Sequence, residues 1–134
     1  MLLIVTEKLK YYLFVTYSNM DAKEEMLAKN IKEFYEDGER SLKRGSYNSA
    51  ASLFFKALAV LADWHLLRKE GFIPKSHADR FRLLEQKHRE IYLILDRDFP
   101  SYQESYSITL TKEVAETLKE DVRKLAKKVG FPLD

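Results

Sequence analysis

The chain has 134 residues, a length that suits one domain around a single core. Its 23 basic and 21 acidic residues leave a net charge of +2, too balanced to announce a nucleic-acid binder by charge alone. The absence of cysteine excludes disulfides, thiolate catalysis and Cys-ligated zinc, and it agrees with a cytoplasmic location. Four glycines and three prolines are too few for a turn-rich β fold.

Residues 1–19 alternate between apolar and charged stretches. Leu2 to Val5 and Tyr11 to Val15 are apolar, β-branched or aromatic, with Glu7, Lys8 and Lys10 between them. Those charges interrupt any membrane-spanning run, and their order is wrong for a secretory signal, so no membrane segment is expected. The pattern suits two short strands in a hairpin, or an apolar helix that covers a bundle. It reads as an extension, 1–19, ahead of a helical domain at 20–134, and such an apolar segment can serve as an interface.

A first long helix is expected over Asp21 to Arg44, with Met26, Leu27, Ile31, Phe34, Tyr35 and Leu42 as its stripe. Gly45 stops it, and Ser46 can cap the next helix, which runs to Glu70. From Tyr47 to Leu67 this second helix is apolar on nearly every face, so neighbours must cover it on several sides. Gly71 and Pro74 end it, and Ser76 can start a third helix near His77, with Phe81, Leu84, His88, Ile91, Tyr92 and Leu95 at helical steps. Asp96 to Leu110 reads as a connector in which Pro100 permits a short helical turn. Thr111 then caps a fourth helix with Val114, Leu118, Val122 and Leu125 on one stripe. The expected fold is all-α, an up-and-down four-helix bundle with an additional N-terminal apolar segment.

Candidate chemistry is sparse. Basic residues gather between Arg68 and Arg89, and again at Arg123, Lys124, Lys127 and Lys128, where cations also suit a helix C-terminus. Lys56 interrupts the apolar run of the second helix, and Asp63 returns to nearly the same face seven residues later, forming a polar strip that can meet a phosphate or an acidic partner. Tyr102 and Tyr106, four apart and preceded by Arg97, can stack bases or cap one end of the bundle. The three histidines show no close carboxylate partner in the sequence, so no metal site is expected, and no Gly-rich phosphate loop is present.

Gly45, Tyr47 and Ala50, the Lys56-Ala57-Leu58 segment, and the Pro74-Lys75-Ser76-His77 lead-in are similar in spacing to the HEPN family. The resemblance spans roughly residues 28 to 128 and rests on helical-hairpin patterns rather than a catalytic signature. It implies a small helical domain, commonly dimeric, that is associated with nucleotidyltransferases and with RNA toxins of toxin-antitoxin pairs. It also makes Lys56 notable, because family members often carry a lysine in this helix. The ribonuclease branch of the family relies on an arginine and a histidine a few residues apart on the last helix. Here the corresponding pair is Arg82 and His88, but it falls on the third helix and its arginine is followed by the apolar Leu83. On an ideal helix Arg82 and His88 point about 120° apart, so they do not share a face.

The expectation is therefore a non-catalytic HEPN-like domain that needs no cofactor. It would bind a nucleotide or RNA through Lys56, Arg82, Arg89, Arg97, Tyr102 and Tyr106, and serve a separate nucleotidyltransferase as a homodimer. The alternative is a helical protein-interaction module, since Phe34, Gly38, Ala50, Phe54 and Ala57 also fit the spacing of a tetratricopeptide hairpin. A ribonuclease toxin using Arg82 and His88 ranks third.

Overall fold

The second helix organises the molecule. In the computed structural model, which describes the backbone of residues 2–134 and the side chains of 7–11 and 20–134, it runs Tyr47–Glu70 and is numbered α2 after α1 (Leu2–Lys43). It is followed by α3 (His77–Lys87), α4 (Arg89–Glu104) and α5 (Lys112–Val129). The fold is all-helical, with no strand among the described residues. Phe54, Phe55, Leu58, Leu61, Leu66 and Leu67 of α2 are fully buried, because α1, α4 and α5 all pack against it. The helix is long and apolar enough to cross a membrane, but most of its apolar stretch is buried inside the protein.

Each helix end has a local cause. Gly45 takes a left-handed φ of 81°, and the amides of Gly45 and Ser46 return to the carbonyls of Leu42 and Ser41, closing α1 with two reversed bonds. This occupies the backbone of Ser46, whose side chain makes no capping bond to α2 and instead accepts from Arg44, contrary to the expected cap. Gly71 closes α2 in the same left-handed conformation. Ser76 and Thr111 do cap, their hydroxyls accepting from the amides of Asp79 and Val114. Past Gly130, the amide of Phe131 returns to Ala126, and the Phe131 ring meets Trp64 edge-on at 5.2 Å.

Three boundaries differ from expectation. Residues 2–19 are helical rather than a hairpin, and α1 passes Met20 and Asp21 without a break, since no glycine or proline precedes Gly38 to turn the chain. At 1.5 Å per residue α1 is about 27 Å longer than α2, and its described buried side chains begin only at Leu27. The expected third helix is broken at His88, which terminates α3 and starts α4. The expected connector, in turn, is largely helix: α4 continues through Pro100 to Glu104. A proline inside a helix costs about 3 kcal/mol. The flanking Phe99 and Tyr102 offset it by packing on Phe55 at 5.5 and 4.9 Å.

Two contacts seat the outer helices. Gly38 lets α1 approach α2 closely, for a Cβ there would stand 2.6 Å from the buried Phe54 ring. Asn48 of α2 bonds the carbonyls of Ser105 and Ile108 and the amide of Leu110, which ties down the connector between α4 and α5.

Candidate anion-binding site

The break at His88 builds a cleft. Helix α3 packs mainly on α4, and polar side chains carry much of its attachment to α2. Arg80 of α3 grips Asp63 of α2 with two bonds of 2.8 Å, both side chains being nearly out of solvent. Immediately after α3, His88 Nε2 lies 2.9 Å from Glu70 Oε1 at the last residue of α2. The His88 ring also meets the His65 ring edge-on, with centroids 5.1 Å apart. These neighbours hold His88 in a non-helical backbone, φ −139° and ψ 60°, although no glycine or proline marks the position.

His65, Lys87, His88, Arg89, Glu90 and Lys128 surround a cleft of about 410 Å3. The floor is the start of α4. There the amides of Arg89 and Glu90 lie in the first turn, ahead of any carbonyl their own helix could offer them. Lys87 approaches Glu70 at 3.6 Å, Lys128 pairs with Glu90, and Arg89 extends over the ring of Tyr92 at 5.8 Å. The three cations outnumber the two carboxylates, and a helix N-terminus adds partial positive charge.

Local fields keep the polar groups in defined states. Glu70 titrates below the usual carboxylate range, chiefly because of the His88 hydrogen bond, with Lys87 adding to it. His65 titrates below an ordinary histidine because burial penalises its charge and His88, Lys69 and Arg68 repel it. It is therefore a neutral ring at neutral pH, able to gain a proton when an anion arrives. The set can hold a phosphate by charge, by amide donors and by imidazole N–H groups. No group of three metal-binding side chains occurs among the described residues.

The residues singled out by sequence are scattered. Arg89 and His88 line this cleft, whereas Arg82 pairs with Asp79 at 3.3 Å and lines two other clefts on α3 and α4. Lys56 is exposed and has no ion pair among the described residues, while Asp63 on the same strip is buried under Arg80. Arg97 reaches α5, with its Nη2 2.8 Å from Asp121 Oδ2. Tyr102 turns to α2, stacking on Phe55, and its hydroxyl bonds that of the exposed Tyr106 at 3.0 Å. Arg97 and the two tyrosines thus serve different helix contacts. His77 starts α3 as expected, and its Nδ1 accepts from Arg80 at 2.7 Å.

Sequence reasoning missed the assembly of His65, Glu70, His88 and Lys128. His65 and Glu70 lie five residues apart on α2, but His88 is 18 residues beyond Glu70 and Lys128 is on α5, and no spacing rule joins the four. The expectation that the histidines lack a carboxylate partner is corrected by the Glu70–His88 bond. No protein-family model matches the chain, and no characterised protein compared with it is significantly similar.

Proposed function

We propose that this chain is a HEPN-like helical domain that binds the phosphate of a nucleotide or RNA in the His65–His88 cleft. In this reading α1, α2, the bent α3–α4 arm and α5 form the up-and-down four-helix bundle. The observation that carries the proposal is the His88 ring, fixed by Glu70 beside His65 at the start of α4, among Lys87, Arg89 and Lys128. Anions gather where helix amides and cations converge.

The role is binding rather than cleavage. His88 gives Nε2 to Glu70, and Arg82 is engaged by Asp79 outside this cleft, so the arginine–histidine pair of the ribonuclease branch does not work as a unit. The resemblance further supports an accessory role beside a separate cytoplasmic nucleotidyltransferase and a homodimeric state. Titrating ADP into the protein and following the imidazole resonances by NMR tests the site. Selective shifts of His65 and His88, with His77 unmoved, are expected; equal or absent shifts overturn it. Affinity capture from cell extract tests the partner, which should appear as a stoichiometric nucleotidyltransferase.

A second reading, a protein-interaction module, rests on a more apolar cleft of about 620 Å3 lined by Phe72, Ile73, Pro74 and Leu83 and, separately, on the exposed Leu9 and Tyr11 of α1. Deleting residues 1–19 separates the roles of that segment. Loss of self-association with the helical fold intact makes it an interface, whereas unfolding makes it part of the core.

A further inference from the structure

We propose that Asp98 of α4, Asp121 of α5 and Arg97 form a proton-sharing clasp that holds α4 against α5 and loosens when the shared proton is lost. Both carboxyl groups belong to residues only 3% exposed. Oδ2 of each lies buried with no donor hydrogen-bonded to it. Arg97 Nη2 stands 2.8 Å from Asp121 Oδ2, but outside hydrogen-bonding alignment, so it supplies charge more than a bond. Its Nε reaches Asp98 Oδ1 at 3.5 Å, at the limit of a hydrogen bond.

Charge balance then requires a proton. Two carboxylates against one guanidinium would leave an uncompensated negative charge in a site closed to water. One proton held between the two carboxyls makes the trio neutral and supplies a donor to a pair whose Oδ2 atoms otherwise have none. No other group relieves the pair. Among the described residues, α1, α2 and α3 send neither an ion pair nor a hydrogen bond to it. Asp63 is taken by Arg80, Glu70 by His88 and Lys87, and Glu39 by Lys119. Asp121 from α5 and Arg97 from α4 are therefore the facing charges. In keeping with this geometry, burial and the hydrogen bond with Asp121 push the Asp98 carboxyl up to about 8, against the opposing effect of Arg97.

When the proton leaves, two like charges face each other across α4 and α5 with one solvent-exposed arginine to screen them. The helices then separate at this point. Because α4 also carries Tyr102 and leads into the connector held by Asn48, loosening there frees that end of the molecule from α5.

The chain has no cysteine, so Leu93→Cys on α4 and Glu116→Cys on α5 give a clean spin-label pair. The expected result is a short, narrow distance at about pH 6.5 that lengthens at about pH 9.5. With Asp98→Asn, whose amide donates permanently to Asp121, the distance stays short at both pH values. Asp121→Asn is the second variant should the first fail to fold, and it should behave alike. Carboxyl-carbon NMR of the wild type should show one of the two aspartates still protonated at neutral pH. Full ionisation of both below about pH 5, or a wild-type distance unchanged across the range, would overturn the clasp.

Discussion

His88 Nε2 lies 2.9 Å from Glu70 Oε1, and the bond stands where α3 ends and α4 begins. One contact thus shapes the backbone and the cleft together. It bends the chain out of what the hydrophobic stripe reads as one helix, and it turns the start of α4 toward His65. Replacing Glu70 with alanine should lower the urea midpoint and let the junction relax toward a continuous helix. Amide exchange at His88 to Ile91 checks this, with faster exchange there and little change in α5.

Gly38 sits against the Phe54 ring. Alanine gains about 1 kcal/mol of helix preference over glycine. Here, though, its Cβ would stand 2.6 Å from a fully buried ring that has little room to swing away. Overpacking of this kind costs about 1–3 kcal/mol. The expected outcome is a net loss of stability for Gly38→Ala in urea unfolding, recovered when Phe54→Leu makes room.

The Asp63–Arg80 pair holds α3 on α2 through two bonds with both partners nearly buried. Removing one partner strands a buried charge, a loss of about 3–5 kcal/mol. Arg80→Ala should therefore destabilise strongly, while Asp63→Leu with Arg80→Met should recover most of the loss. A double-mutant cycle in urea measures the difference.

Stability should depend on pH in two opposing ways. His65 and His77 titrate below an ordinary histidine, mainly through burial. The unfolded chain therefore binds more protons than the native one below the ordinary histidine value, and stability falls as pH drops through about 6.5. Asp98, raised to about 8, does the reverse. The native state keeps a proton the unfolded chain has released, so stability declines by about 1.4 kcal/mol per pH unit between the unfolded carboxyl value and 8, then levels. The two effects place the optimum near pH 6.5, and Asp98→Asn should abolish the decline above it. Urea midpoints at half-unit steps of pH decide this.

The helix ends were legible where glycine or a capping hydroxyl sets them, as at Gly45, Gly71, Ser76 and Thr111. The burial of α2 was legible from its apolar faces. The break at His88 was not, because its cause is a tertiary bond to Glu70 rather than any local residue. Helix through Pro100 escaped notice for a similar reason, since Phe55 lies far away in sequence. Seven residues return Asp63 to nearly the same helix face as Lys56, yet sequence could not say that Arg80 covers the aspartate while the lysine stays exposed. Among the cations, the sequence names Arg89 as a candidate and groups Lys128 with others at a helix end. Which of them share a cleft depends on how α5 lies beside α4.

The most direct measurement is the binding of a fluorescent single-stranded RNA at several salt concentrations, comparing the wild type with Arg82→Ala and with Arg89→Ala plus Lys128→Ala. Each lost phosphate contact reduces the slope of log affinity against log salt by about 0.7. The proposed cleft predicts weaker binding and a flatter slope for the Arg89 and Lys128 double variant, with Arg82→Ala close to wild type. Equal affinity and slope in the double variant, or binding of neither RNA nor ADP by the wild type at low salt, would contradict it.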